Sequence, residues 1–319
     1  MRVLSLFDWI ACWYEALVRA WIKVDAYYAS EIDKYAIQIA QKNHPDIIQI
    51  WDVQKIWFSR DELWWWDILY RLEDDGSIYL IDRWPIDLLI GGSPCQWFSV
   101  AWKMLNFDDP RSKLFFEFVR ILKEVKPKYF LLENVKMKKE WQDIISRELW
   151  VEPIEINSSL VSAQSRRRLY WTNIPNVTQP QDKWILLKDI LQENVDEEYN
   201  FSKERMSWLV DVVDGEVRIK QATKKGYIVA EEWDGISISF PNSTTRRWRV
   251  VKWKANTLVT QWDSYVYDKV IRKLTPIEYE RLQTLPDNYT EWVSDTQRYK
   301  ILGNGRTVDV IAHIFKNLS

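Results

Sequence analysis

One cysteine in this chain sits where covalent chemistry could be done. Ile86-Asp87-Leu88-Leu89-Ile90 reads as a buried strand, and Gly91-Gly92-Ser93-Pro94-Cys95-Gln96 follows it directly. Proline fixes the backbone just before the thiol, and a thiolate held there could act as a nucleophile. A lone cysteine is more often a small buried hydrophobe, so the case depends on what accompanies it. Glu133-Asn134-Val135 closes a later apolar run, and a carboxyl group there could share a proton with a ring nitrogen. Gln164-Ser165-Arg166-Arg167-Arg168 is a dense basic cluster that puts alternate side chains on one side if extended.

Three further acids fall at the ends of consecutive predicted strands. Phe7-Asp8-Trp9-Ile10-Ala11-Cys12-Trp13 follows the first strand and opens onto a helix. Ser30-Glu31 ends the second strand, and Asp52 follows the third. A carboxylate in these places can take ribose hydroxyls or an adenine amino hydrogen. Singly each would pass as a helix cap; in series they point to an adenosyl ligand. Thr244-Thr245-Arg246-Arg247-Trp248-Arg249, followed by Lys252-Trp253-Lys254, is a basic, hydroxyl-rich stretch suited to phosphate contact.

The elements that must position these residues alternate over roughly the first 170 positions. Strands are predicted at Arg2–Phe7, Val24–Ala29, Ile47–Ile50, Leu88–Ile90 and Tyr129–Leu132, with helices at Tyr14–Ala20, Lys34–Lys42 and Phe115–Val125. Repeated βα units imply an α/β fold with a doubly wound, mostly parallel sheet. From about Asn173 to Lys273 the helical period weakens and short β-like pieces such as Gly235–Phe240 appear. Helices return at Pro276–Gln283 and Val308–Lys316. The expected division is 1–172 with 274–319 as one domain and 173–273 as a smaller, irregular recognition domain.

Composition narrows the options. A chain of 319 residues can bury a full core. Its net charge of −2 announces no polyanion partner globally, so a nucleic-acid surface must come from local clusters. Two cysteines and two histidines exclude a disulfide framework and argue against a metal site. Asp8 interrupts the apolar N-terminus, no signal cleavage site follows, and no apolar run approaches the roughly 18 residues of a membrane span. A cytoplasmic protein without membrane contact is the expectation. A zinc deaminase would need Pro-Cys-x-x-Cys, and position 98 is Phe. A cysteine hydrolase would need a histidine partner, and neither His44 nor His313 lies in a suitable motif.

The anomaly is 21 Trp against 8 Gly. Average usage of about 7% would give roughly 22 glycines. Several tryptophans sit where a turn wants glycine, as in Ala20-Trp21-Ile22, Arg83-Trp84-Pro85, Leu149-Trp150-Val151 and Trp64-Trp65-Trp66. The pattern reads as a frame in which UGA, decoded as glycine in the source cell, was translated as tryptophan.

Taken in order, these segments resemble the DNA (cytosine-5) methyltransferases. Phe7 and its loop resemble the first cofactor motif, Ser30-Glu31 the second and Asp52-Val53 the third. Pro94-Cys95-Gln96 resembles the nucleophile motif, Glu133-Asn134-Val135 the base-contacting motif, and Gln164-x-Arg166-x-Arg168 the basic motif after it. Arg272-Lys273-Leu274-Thr275-Pro276-x-Glu278-x-x-Arg281-Leu282-Gln283 and Leu302-Gly303-Asn304-Gly305 resemble the two C-terminal motifs. Phe7-Asp8 and Leu114-Phe115-Phe116-Glu117-Phe118 look most like the vertebrate de novo branch and its phage and bacterial relatives. Family members carry glycine where this chain has Trp9, Trp13, Trp51, Trp97 and Trp102, and Arg306 departs from a position often held by tryptophan. Were Trp9 and Trp13 genuine, two indoles would enter a loop that must lie against the cofactor, and an inactive DNA-binding relative would be the alternative.

The resemblance implies a fold like that of S-adenosylmethionine-dependent methyltransferases. Phe7, Asp8, Trp9, Ile10 and Cys12 would line the cofactor with Glu31, Ile32, Asp52 and Val53. Pro94, Leu114, Asn304 and Gly305 would complete that site. Cys95 would attack C6 of a cytosine flipped from duplex DNA, Glu133 would contact N3 and the amino edge, Arg168 would hold the carbonyl, and Arg166 would fix the catalytic loop or a phosphate. Gln96, Ser99 and Arg111, in the loop covering the base, together with Gln164, Arg246, Arg247, Arg249, Lys252 and Lys254, would contact DNA. A cognate restriction endonuclease in the same operon would be a partner, and a monomer is the default. A tRNA cytosine-5 methyltransferase on the same fold is the rival enzyme.

Overall fold

A computed structural model of the chain describes residues 1–61, 66–92, 110–201, 209–239, 243, 245, 249–260 and 264–318. Pro94, Cys95, Gln96, Ser99, Arg246 and Arg247 lie outside the described residues, as do Trp64, Trp65, Trp97 and Trp102. Among the described residues the first three strands and two helices of the predicted alternation are present, each within a few residues of its expected limits. They are β1 (Arg2–Leu6), α1 (Cys12–Arg19), β2 (Ala26–Ser30), α2 (Lys34–Asn43) and β3 (Ile48–Gln49). Three strands unseen in the sequence follow, β4 (Ile56–Asp61), β5 (Trp66–Leu72) and β6 (Ile78–Asp82). The expected alternation resumes with β7 (Leu88–Gly91), α3 (Pro110–Val125), which begins earlier than expected and takes in Arg111, and β8 (Tyr129–Val135). Then follow α4 (Lys139–Leu149), β9 (Ile154–Asn157) and β10 (Arg167–Thr172), which the sequence did not announce.

Seven of these strands form one sheet in the order β3-β2-β1-β7-β8-β10-β9. The pairs β1·β2, β2·β3, β1·β7 and β7·β8 are parallel, and β10 runs antiparallel to β8. The chain therefore winds outward from β1 to β3, then returns beside β1 with β7 and winds the other way. Right-handed crossovers then put α1 and α2 on one face and α3 on the other. The reversal lies between β1 and β7, and ligands of doubly wound sheets bind beyond the carboxyl ends of the strands at that point. The backbones meet closely there. A Cβ on Gly91 would stand 3.0 Å from Phe118 and 3.1 Å from the Leu6 carbonyl, so the position admits glycine alone without movement.

The core is apolar on both sides of this sheet. Leu4, Leu6, Leu89, Phe118, Leu132 and Trp171 belong to one buried cluster with Ile145 and Leu149 of α4. In α1 the residues Cys12, Trp13, Ala16 and Leu17 are buried, the spacing of one helical stripe. The helix α2 starts where Asp33 accepts from the backbone N–H of Tyr35 and Ala36. The added strands β4, β5 and β6 pair antiparallel into a separate small sheet, which the sequence concealed because their exposed and buried residues do not alternate cleanly.

The chain divides into two compact units. The first is Met1–Ile156, Arg167–Gln179 and Ile311–Ser319; the second is Asn157–Arg166 and Pro180–Val310. These limits differ from the expected 172/173 and 273/274, since the Asn157–Arg166 segment and the two helices preceding the last one pack with the second unit. That unit holds an antiparallel sheet of β11 (Val210–Val213), β12 (Glu216–Lys220) and β13 (Tyr227–Ala230). A second sheet is formed by β14 (Gly235–Ser237), β15 (Val250–Val251), β16 (Ser264–Asp268) and β17 (Val270–Lys273). Ile219, Ile236, Tyr265 and Ile271 join the two sheets in one core. The helices α5 (Pro276–Leu282) and α6 (Asp295–Asn304) follow in this unit, and α7 (Val308–Phe315) ends the chain.

A buried ion pair opens α5. Thr275 and Glu278 form a capping box, and Arg272 donates twice to the Glu278 carboxylate at 2.9 and 2.7 Å. Removing one member of such a pair strands the other without water. Glu278→Ala is therefore expected to cost about 3–5 kcal/mol of stability in urea unfolding; a loss below about 1 kcal/mol would show that the pair is solvated.

Candidate active site

The carboxyl edge of the sheet is stitched together by side chains. Asp8, fully buried, accepts from the hydroxyls of Ser5 and Tyr27 on one carboxylate oxygen. Its own N–H donates to the Ser30 carbonyl at 3.1 Å, which continues the β1·β2 ladder past the strand end. Next along the loop, the Trp9 N–H donates to Glu31 at 3.0 Å. The other oxygen of Glu31 accepts from Ile32 and Asp33 N–H, both at 2.8 Å. The Ser30 hydroxyl donates to the Trp51 carbonyl at 2.7 Å, and the Gln49 side-chain amide to the Glu31 carbonyl at 2.7 Å, which ties in β3. Asp52 accepts from Gln54 N–H and caps a short 3-10 turn. The series of strand-end acids inferred from the sequence is therefore brought to one edge of one sheet.

This edge fits an adenosyl cofactor by its donor and acceptor set. Phe7, Trp9 and Ala11 all have left-handed backbone, at φ 57°, 64° and 59°, so the loop doubles back before α1. No side chain caps the first turn of α1, which leaves its N–H groups for the loop, water or a ligand. Burial pushes the Glu31 carboxyl above the usual carboxylate range against the pull of its three N–H partners. Ile10 and Cys12 are fully buried. Ile32 is largely exposed, Val53 is buried, and Phe7 and Leu114 pack against the core. Trp13 does not enter the loop as the sequence suggested. It lies in the first turn of α1, fully buried, with its ring 6.4 Å from that of Phe315.

Glu133 and Arg168 do come together. Both stand on adjacent strands, with Arg168 opposite Val135 and Tyr170 opposite Glu133. The Arg168 guanidinium lies 3.6 Å from the Glu133 carboxylate. A cation and a carboxylate so placed can grip the polar edge of a pyrimidine, one taking its carbonyl and the other its N3 and amino group. Both are sequence-predicted.

In the second unit several expected contacts turn inward. Gln164 is fully buried; its amide nitrogen reaches the Leu282 carbonyl at 3.1 Å, and its oxygen accepts from Leu258 N–H at 3.1 Å. Arg166, also buried, donates to the carbonyls of Gly305 at 2.7 Å, Gly303 at 3.3 Å and Leu258 at 3.4 Å. It fixes the Gly303–Gly305 turn, not a phosphate. That turn tolerates no larger residue at Gly303, where a Cβ would lie 2.1 Å from the Val259 carbonyl. Asn304 at the end of α6 is exposed, and Arg306 is buried.

The basic stretch is corrected in the same way. Arg249 is buried and donates to the Ser239 carbonyl at 3.1 Å. Lys254 donates to the carbonyls of Ser159, Ser162 and Ile185, and burial lowers its pKa. Lys252 pairs with Glu231 and Asp234, both at 3.0 Å. A cation already holding backbone carbonyls inside a fold is not offered to a phosphate. Composition could not reveal this, because a charge run looks alike whether it faces water or carbonyls. Tyr27 and Ser5, which hold Asp8, were likewise missed; nothing in their spacing marks them.

The chain belongs to the C-5 cytosine-specific DNA methylase family, whose model matches residues 1–144 and 158–319. It is accordingly a DNA (cytosine-5) methyltransferase that uses S-adenosylmethionine, and covalent attack on the base is general to its family. It is 32% identical to the type II methyltransferase M1.ScrFI of Lactococcus lactis subsp. cremoris over 93% of this chain and 72% of that one. With the type II methyltransferase M.NlaX of Neisseria lactamica it shares 29% identity over 99% of this chain and 96% of that one. The solved structure of S. pombe Dnmt2 methyltransferase superposes with a TM-score of 0.65 at 17% identity over 99% of this chain and 97% of that one, a likeness of fold. No helix among the described residues is long and apolar enough to cross a membrane.

Two outcomes are expected. Burial holds the Glu31 carboxyl above the usual range, so if its ionised form accepts the cofactor's hydroxyls, cofactor affinity should hold at higher pH and fall as pH drops through that raised value. Calorimetric Kd values across pH should show this fall beginning above the pH expected of a free glutamate, and Glu31→Gln should flatten it. Arg249→Ala should lower the unfolding midpoint, because it leaves buried acceptors unmet at about 1–3 kcal/mol, while the salt dependence of DNA binding stays that of the parent. A reduced salt slope with unchanged stability would return Arg249 to the DNA surface.

Proposed function

We propose that Cys95 is the nucleophile, Glu133 and Arg168 the base-gripping pair, and the Phe7–Cys12 loop with Glu31 and Asp52 the cofactor cradle, acting on cytosine in duplex DNA. The observation that carries this reading is the 3.6 Å approach of Arg168 on β10 to Glu133 on β8, the strand beside β7. In sequence Cys95 follows the end of β7 by four residues, and β7 is one of the two strands that flank the reversal point of the sheet. Cytosine C5 is a poor nucleophile until a group adds to C6. Attack by the Cys95 thiolate on C6 makes C5 enamine-like. Glu133, sharing a proton with N3, and Arg168 at the carbonyl stabilise the negative charge that the ring gains as the C6–S bond forms. S-adenosylmethionine, when bound, supplies a methyl group on a sulfonium that C5 can take. Loss of the C5 proton to water then expels the thiolate and restores the aromatic ring. A stacked base cannot be reached, so the target is flipped out at a cost of a few kcal/mol.

The type II names of the relatives support a cognate restriction endonuclease encoded beside this gene, and the protein is proposed to act as a monomer on DNA, in the cytoplasm.

Transfer of a labelled methyl group to mixed-sequence duplex DNA tests the assignment. Label on cytosine with the parent chain, and a loss of at least about a thousandfold with Cys95→Ala, is the expected result. Label retained by Cys95→Ala would refute the nucleophile; label on transfer RNA with none on duplex DNA would refute the substrate.

A further inference from the structure

Fifteen residues other than glycine have positive φ among the described residues, and seven of them are tryptophan: Trp9, Trp21, Trp51, Trp150, Trp184, Trp233 and Trp253. A bulky side chain in the left-handed region is a genuine outlier, because its Cβ crowds the carbonyl oxygen. Asn and Asp, which tolerate the region, supply only three of the fifteen.

At three of these positions, Trp21, Trp150 and Trp233, the turn is of a type that favours glycine. After α1 the Trp21 N–H bonds to the Val18 carbonyl and the Ile22 N–H to the Leu17 carbonyl, both at 3.0 Å. That pair of bonds is the Schellman motif, whose left-handed position is ordinarily glycine. Trp150 ends α4 in the same left-handed conformation, at φ 62°. In Glu231-Glu232-Trp233-Asp234 the Asp234 N–H closes on the Glu231 carbonyl at 3.0 Å, with Trp233 third in the turn at φ 67°. A type II turn requires glycine's freedom there. Where the chain does carry glycine at positive φ, at Gly76, Gly215 and Gly226, it stands in the hairpin turns between β5 and β6, β11 and β12, and β12 and β13.

The indoles meanwhile gain little from burial. Trp21, Trp150 and Trp184 are 94%, 87% and 76% exposed. Trp171 is the contrast: fully buried in β10, its indole N–H donates to the Ser146 hydroxyl at 3.0 Å. It has the environment a tryptophan needs.

We infer that the polypeptide made in the source cell carries glycine at these seven positions, encoded by UGA, and tryptophan at Trp171, encoded by UGG. The exchange leaves the backbone bonds intact, including the Trp9 N–H to Glu31, and frees the loop before α1 of an indole. On the cofactor reading above, position 9 lies in the cradle itself; the inference does not depend on that reading.

The gene and its product decide the matter. UGA at the seven positions, UGG at Trp171, and glycine at the seven in peptides from source cells are the expected findings. UGG at the seven, or UGA at all eight with tryptophan in the peptides, overturns the inference. The chain as written provides an independent test. Trp150→Gly should raise the Tm by several degrees over the parent and above Trp150→Ala, since only glycine relieves the left-handed strain. Equal Tm values for the glycine and alanine variants, measured in folded protein, would show that φ does not matter there and contradict the inference.

Discussion

The edge of the sheet where β1, β2 and β3 end depends on carboxylates that take backbone and hydroxyl hydrogens away from water. Asp8 is the centre of it. A fully buried carboxylate is costly unless its oxygens are met by donors, and Ser5 and Tyr27 meet one oxygen from neighbouring strands. With Asp8 held through that oxygen, its N–H reaches Ser30, the Trp9 N–H reaches Glu31, and the loop is pinned against β2. Without that anchor, a loop of three left-handed residues would have many alternatives of similar energy.

A second set of buried charges organises the other unit. Arg272 of β17 with Glu278 of α5, Arg298 of α6 with Glu280 of α5, and Arg166 on three carbonyls tie the elements of this unit together. Buried pairs of this kind contribute little net stability over apolar packing, but each fixes one arrangement because the alternatives strand a charge. The Gly303–Gly305 turn illustrates this. Arg166 needs its carbonyls pointing inward, and Gly303 lets the Val259 backbone approach closely enough for that to happen. Residues that resemble catalytic motifs thus act in part as framework.

The alternating strands and helices of the first unit were legible because each buries one face and is bounded by a cap or a break, as Asp33 and Pro45 bound α2. The positions of the strand-end acids were legible for the same reason: Glu31, Asp52 and Glu133 each come at the end of an apolar run. The sheet of β4, β5 and β6 was not, since exposed Ile78, Tyr79 and Leu80 break the alternation that would announce a strand. Nor were the roles of Gln164, Arg249 and Lys254 legible. Sequence shows that a residue is polar, and only the fold shows whether its partner is a phosphate or a carbonyl ninety residues away. The tryptophan excess was visible in composition, and backbone angles show which positions carry its cost.

The central claim is a covalent attack by Cys95 on cytosine C6, followed by loss of the C5 proton. Duplex DNA bearing 5-fluorocytosine tests it most directly, because fluorine cannot leave as a proton does and the adduct should persist after methyl transfer. Mass analysis of the digested complex is predicted to find the fluorinated, methylated base on the peptide that contains Cys95. Methylated DNA released freely from the fluorinated duplex, or an adduct on Cys12 instead, would contradict the account.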